Sequence, residues 1–443
     1  MVLRTSGAVL PVADPARVVP LPLREQADVR DRWLTERLLD VLPGLMDDAG
    51  IDLWLVVGRE NAEDPVLRTF LPATWLSARR RTVLVLHRSD DGVTAAAVSR
   101  YPVGQFLPAW SDEESPGLPY EWAQWAAVRR FVEQADPRTI GVDVSGSFAH
   151  ADGLSHSDHG LLVTALGPWA DRLVPAEPLV VRWLETRLPE EVAVLRALTG
   201  RLQEVAGEAF SPAVLRAGET TAADLAWWLR QRLADQGLAS WFHPVVDVQR
   251  AGVPPVAERG SLLPAVPYDE PVAPGDLVHC DVGAATLGLA GDLQRTAYVL
   301  RPGETAAPAG LARAFALGTR LQDLTTAHLR PGRSGDEVLA ATRAAAAAEG
   351  IDGEVYSHPI GVHGHGAGPA IGLWDEQDGV PGPGAAVVHP DTAFALELCV
   401  RVPVPEWGGQ CVRMGLEEDV VVGAAGVEYL GGRQEELLVV PAG

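Results

Sequence analysis

Apolar residues along this chain switch between two spacings, and the switches mark out its elements. From Arg32 to Met46 they recur every three to four residues, the spacing of a helix with one buried face. Asp52-Leu-Trp-Leu-Val-Val57 is instead an apolar run closed by Gly58, which predicts a buried strand. A second such run, Arg81–His87, ends at the turn sequence Ser89-Asp-Asp-Gly92. A helix over about 120–135 leads to a strand at Ile140–Asp143, and this alternation predicts an α/β domain. The pattern changes after Thr186. Pro189 suits the first position of a long helix reaching about Gly207, and Glu190 and Glu191 complement its positive end. Further helices are expected from the Thr220/Thr221 caps to Gly237 and over the Ala-rich segment 335–350, with strands at about 243–249, 277–283, 292–299, 394–401 and 417–422. The pattern divides the chain into domains at 1–185 and 186–443, as expected for a length that exceeds what one core serves.

Composition narrows the function. With 47% hydrophobic residues and thirteen Trp the chain has material for packed cores throughout. A net charge of -23 argues against nucleic acid or an anionic membrane as partner, since both attract basic surfaces. No apolar stretch is long enough to span a bilayer, and polar residues and Pro11 interrupt the first residues before a secretory core forms, so a cytoplasmic location is expected. All 36 basic residues are Arg, which removes Schiff-base lysine chemistry and the lysine of a phosphate-binding loop. Cys280, Cys399 and Cys411 are too few for a disulfide framework and are expected as reduced thiols.

Against that background five residues stand out in order: Asp281, Asp292, His358, Glu397 and Glu418, each in a segment that reads as strand or strand end. Four carboxylates and one imidazole suit two divalent ions such as Mn²⁺, Zn²⁺, Co²⁺ or Fe²⁺, and without metal carboxylates that close could not all ionise. Strand alternation puts His279 and Gly283 on the face of Asp281 and Cys280 on the other, with Gly283 expected to leave room beside the cluster for metal or substrate. Cys399 shares a face with Glu397 and is expected as a packed thiol, and His156-Ser-Asp-His159 as a solvated loop.

The local sequences resemble the pita-bread metallopeptidases, the superfamily of creatinase, prolidase, Xaa-Pro aminopeptidase and methionine aminopeptidase. Asp281 lies in His-Cys-Asp-Val-Gly, and Asp292 follows eleven residues later in Gly-Asp-Leu-Gln-Arg-Thr. Ser357-His358-Pro-Ile-Gly361-Val-His363-Gly-His365 is similar to a block whose first histidine binds metal and whose histidine seven residues on meets substrate. Ala-Phe-Ala-Leu-Glu397 and Glu418-Asp419-Val-Val-Val resemble the last two blocks, with Glu417 as an alternative to Glu418. The resemblance implies an α/β (α+β) fold, with a C-terminal curved antiparallel sheet flanked by helices and an N-terminal creatinase-like α/β domain. It further implies a homodimer with two divalent ions, Mn²⁺ foremost. Asp281 would bind one ion, His358 and Glu397 the other, and Asp292 and Glu418 both. His365 and Glu397 would be catalytic, and a hydroxide shared by the ions would hydrolyse a short peptide in an aminopeptidase or dipeptidase reaction.

Three departures bear on substrate. No histidine lies between His243 and His279, where Pro-specific relatives carry one; Leu-Cys-Val follows Glu397 in place of Pro-Gly; and Gly366–Pro390 is long. These leave open a lyase or amidohydrolase of a small amide on the same scaffold, or an inactive binding protein. The long segment starts beside His365 and returns to Glu397, so Trp374 is expected in the substrate pocket together with His363, and Asp375 or Glu376 is expected to attract a substrate amine.

Overall fold

The computed structural model describes residues 21–110, 117–258 and 261–441. The first residues, on which the expectation of no secretory core rests, lie outside them. The chain divides into two compact units that change over between Leu184 and Glu185.

In the first unit, α1 (Leu23–Glu36) and α2 (Leu42–Ala49) replace the single helix expected over 32–46. Pro43 sits in the first turn of α2 and has no N–H to give to the preceding turn, and a π-turn at Arg37–Val41 joins the two helices. The remaining elements follow as β1 (Leu53–Arg59), α3 (Leu67–Phe70), β2 (Arg81–Ser89), β3 (Gly92–Ser99), β4 (Leu107–Pro108), α4 (Tyr120–Ala135), β5 (Ile140–Val142), α5 (His156–Leu166), β6 (Leu173–Pro175) and α6 (Glu177–Glu185). They build a mixed six-stranded sheet in the order β4-β3-β2-β1-β5-β6. His156 and His159 lie in the first turns of α5 rather than in a loop, because the Ser155 hydroxyl accepts from Asp158 N and caps the helix.

The second unit starts with α7 (Pro189–Ala209) and α8 (Ala222–Asp235), followed by β7 (Ala239–Ser240), β8 (Val245–Gln249), β9 (Val256–Glu258), β10 (Ser261–Leu263), β11 (Leu277–Thr286) and β12 (Leu289–Val299). Then come α9 (Ala309–His328), α10 (Gly335–Ala348), β13 (Gly353–Val355), β14 (His358–Ile360), β15 (Thr392–Val404), β16 (Gln410–Gly423), β17 (Gly426–Tyr429) and β18 (Leu438–Val440). The main sheet runs β13-β15-β16-β12-β11-β7, with β8 on β11, β14 on β15, β17 on β16 and β18 on β12. Val278, Cys280, Val282 and Leu293 point into a core shared with α7 and α8, while Phe394, Leu396, Leu398 and Val400 pack against α9 and α10. Helices therefore take one face of the sheet, and the residues between these apolar positions are turned to the other.

Register follows from one tight turn. Leu287 and Gly288, both at positive φ, join β11 to β12 in a two-residue hairpin that pairs Thr286 with Leu289. Counting back from that turn sets Asp281 opposite Gln294 and Gly283 opposite Asp292. On the other side of β12, Gln294 faces Glu417, which faces Glu397 on β15. One cross-strand row thus reads Glu397, Glu417, Gln294, Asp281 over four strands.

Candidate metal centre

Glu417, not Glu418, belongs to this row. Consecutive strand residues point to opposite faces, so only one of the pair can join the carboxylates. Glu418 points away and takes the Arg295 guanidinium through both oxygens, at 2.9 Å each, plus the Gln434 N–H at 2.7 Å. Arg295 and Gln294 divide between the faces in the same way.

Ligand-type atoms of Asp292, His358 and Glu417 lie within 4.8 Å of one another, as do those of Asp281, Glu397 and Glu417. Glu417 is common to both groups, and Glu397 falls with Asp281 rather than with His358 as the resemblance implied. Asp281 Oδ1, Asp292 Oδ1, His358 Nε2 and both Glu417 oxygens are buried without a hydrogen-bond partner among the described residues. Buried acceptors are rarely left unpaired. The histidine is set up to match: its Nδ1 lies 3.1 Å from the Pro359 carbonyl and so carries the proton, leaving the Nε2 lone pair directed at the carboxylates, 3.9 Å from Glu417 Oε1. Burial lowers the His358 pKa to about 4, with the His365 ring adding to the shift, so this lone pair is open at neutral pH. Burial pushes Asp281 up to about 7 and Glu397 up to about 8, and drives Asp292 and Glu417 well above the carboxylate range, their mutual repulsion adding to it. Hard oxygen donors plus one imidazole nitrogen, unsatisfied and unwilling to carry charge alone, fit divalent metal.

Around this centre the chain supplies groups that sequence reasoning did not mark. Gln294 Nε2 donates to Glu397 Oε1, and its Oε1 lies 2.9 Å from His279 Nε2. Gly415 makes room for that pair: a Cβ there would come within 2.9 Å of Gln294 Oε1 and 3.0 Å of His279 Nε2. Arg413 donates to the Tyr356 hydroxyl; burial opposes its charge, but Tyr356, Cys399, Glu397 and Asp247 outweigh that and hold it charged. Gly283 leaves room for Trp241 and Phe242 instead of metal, since a Cβ would lie 2.1 Å from Trp241 Nε1. Trp241 also fills the space at Gly364, and its ring meets His365 edge-on at 5.1 Å; His365 in turn meets His358 at 4.7 Å. Cys399 is a packed thiol beside Glu354, its pKa raised by burial to about 12.

A cavity of about 190 Å³ adjoins the carboxylates, lined by Asp281, Glu397, Gln294, His279, Asp247 and Arg413, with Val245, Pro264 and Trp374 completing the wall. Trp374, expected in a substrate pocket, lines this cavity and also a larger one. The 366–390 segment is pinned there by Gln377, whose amide bonds Val355 N and O, and by Asp336, which accepts from Val380 N. Asp375 instead lines the larger cavity, of about 390 Å³, and Glu376 lines neither, while Asp247 lines the 190 Å³ cavity together with Asp281 and Glu397. His363 and His365 are not among the lining residues; His363 is half-buried and its carbonyl accepts from Gly361 N.

A largely antiparallel sheet with helices on one face and a carboxylate–imidazole cluster on the other defines a pita-bread metallopeptidase. The chain belongs to metallopeptidase family M24, whose sequence model matches residues 197–424. It is 30% identical over 182 residues to the uncharacterized peptidase YqhT of Bacillus subtilis, a match spanning 41% of this chain and 46% of that protein. Among solved structures, the X-Pro aminopeptidase of Thermotoga maritima superposes with a TM-score of 0.61 at 18% identity, over 90% of this chain and all of that one. The dipeptidase PepE of Mycobacterium ulcerans gives 0.60 at 21% over 94% and 99%, and the Xaa-Pro dipeptidase of Bacillus anthracis 0.58 at 19% over 93% and 99%. These likenesses establish the fold. Among the described residues no helix is long and apolar enough to cross a membrane.

Proposed function

We propose that this protein hydrolyses short peptides as an aminopeptidase or dipeptidase, with two divalent ions, Mn²⁺ foremost, held by Asp281, Asp292, His358, Glu397 and Glu417. The observation that carries the reading is the set of buried, unpartnered acceptor atoms on Asp281, Asp292, His358 and Glu417, two groups joined through Glu417. Bound ions of this kind polarise a carbonyl and make a water nucleophilic near neutral pH. Glu397 is oriented by the Gln294 amide at Oε1, so its carboxylate would take the proton that the attacking water loses and pass it to the leaving amine. His365 has its pKa lowered by burial, so it is neutral near pH 7 and can donate an N–H to charge developing on the carbonyl oxygen. Trp241 and His358 hold that ring from two sides. One observation favours a second reading, an amidohydrolase of a small metabolite: a cavity of about 190 Å³ is small for an extended peptide.

Metal analysis of the purified protein, followed by a screen of Mn²⁺-, Co²⁺-, Zn²⁺- and Fe²⁺-loaded samples against dipeptides, Xaa-Pro peptides and small amides, tests both. Hydrolysis of free dipeptides is expected. Turnover of small amides alone selects the second reading, and no turnover with any metal rejects the first and the second alike.

A further inference from the structure

The imidazole of His279 is locked into one tautomer. Gln294 donates its NH₂ to Glu397 Oε1, so its carbonyl oxygen faces His279 Nε2 at 2.9 Å. His279 Nε2 is therefore the protonated nitrogen, and Nδ1 carries a lone pair. That Nδ1 is buried, has no hydrogen-bond partner among the described residues, and belongs to a side chain only 9% exposed on the wall of the 190 Å³ cavity. Opposite it in register on β8 is Asp247, whose carboxylate Oδ2 lies 4.0 Å from Nδ1 on the same wall. Two acceptors at that separation cannot satisfy each other. A nitrogen donor about 2.9 Å from each would span the gap with its two N–H bonds roughly a right angle apart.

We propose that Asp247 Oδ2 and His279 Nδ1 form a subsite for the ammonium group of the substrate, separate from the metal-ligand set. The choice of a cation over a neutral amide follows from Asp247, which remains 36% exposed and brings a full negative charge to a small cavity. Arg413 lines the same cavity, but its guanidinium donates to the Tyr356 hydroxyl rather than to Asp247 or His279. The subsite selects small substrates bearing a primary or secondary amine next to the bond that is cut, and it rests on the hydrolytic reading given above.

Propylamine, an ammonium at neutral pH, is a minimal probe, with 1-propanol as its uncharged counterpart. Binding to the zinc-loaded protein is read by ligand-observed NMR titration up to about 50 mM, a generous range for four non-hydrogen atoms. Wild type should bind propylamine and not propanol. Asp247→Asn, at a partly exposed strand position that keeps its shape, should weaken propylamine at least tenfold with zinc content unchanged, and His279→Phe should do the same. No binding to wild type, or undiminished binding to Asp247→Asn, overturns the proposal; undiminished binding that disappears on chelation would place the amine on the metal instead. On a free dipeptide, Asp247→Asn should raise KM at least tenfold while kcat changes much less. A protein that binds propylamine through Asp247 but cuts no peptide retains the subsite and loses only the peptidase reading.

Discussion

Glu397 and Glu417 stand directly opposite each other on β15 and β16, while their neighbours Leu396 and Glu418 form the next pair and point the other way. One step along the strand thus separates a carboxylate of the metal centre from one that closes a buried ion pair. Glu417→Gln should lose one or both bound ions with folding intact. Glu418→Gln should keep its metal and lose about 3 kcal/mol of stability, because the buried Arg295 charge is left without its carboxylate. Metal analysis and denaturant unfolding of the two variants separate these outcomes, and metal loss confined to Glu418→Gln would reverse the assignment.

His358 and His365 sit edge to face, yet only His358 directs a buried lone pair at the carboxylates. His358→Ala should cost metal. His365→Ala should keep the metal content and lower kcat by about 10² or more, the loss found on removing a donor to a developing oxyanion. Steady-state kinetics alongside metal content decide it.

Removing metal should make stability fall with rising pH. Burial holds Asp281 at about 7 and Glu397 at about 8, against ordinary values of 3.8 and 4.5, so the folded metal-free protein binds protons more tightly than the unfolded chain between those limits. The chelated protein should accordingly lose Tm from about pH 5 to about pH 8, whereas divalent metal takes the place of the protons and its stabilisation grows over the same range. Thermal melts with and without chelator test this, and calorimetry in buffers of different ionisation enthalpy should register proton release on metal binding. A metal-induced Tm shift equal at both ends of the range would contradict it.

Trp374 contributes apolar wall to the cavity beside Asp281 and Glu397. Trp374→Ala should lower kcat/KM for the best substrate about tenfold, or about 1.4 kcal/mol, with metal and fold retained. Unchanged kinetics across several substrates would remove it from recognition.

The broad organisation was legible because apolar spacing reports burial: β11, β12 and β15 lie where the runs predict them, and α10 matches its Ala-rich segment. Asp281, Asp292, His358 and Glu397 could be read because each carries a distinctive local sequence. The choice between Glu417 and Glu418 could not, since two adjacent acids followed by Asp419 fit the same block in either register and only the pairing with β12 decides the face. Asp247 and Arg413 were hidden for a related reason. Neither lies in a motif, and each reaches the site through partners far away in sequence. His279 was placed on the right face by alternation, but its role depends on Gln294, and that contact needs the β11–β12 register and the bare Cα of Gly415. Gly283 was misread because a glycine announces space without saying what fills it.

The cross-strand row of Glu397, Glu417, Gln294 and Asp281 also sets when during synthesis the centre comes into being. A chain made only as far as β14 carries Asp281, Asp292 and His358, but neither member of the Glu397–Glu417 pair, and Glu417 is the residue common to both ligand groups. Capture of both proposed ions would therefore be an event of the nearly finished chain. Until Glu397 and Glu417 are made, β11 and β12 have the Leu287–Gly288 turn and the apolar face under α7 to set their register.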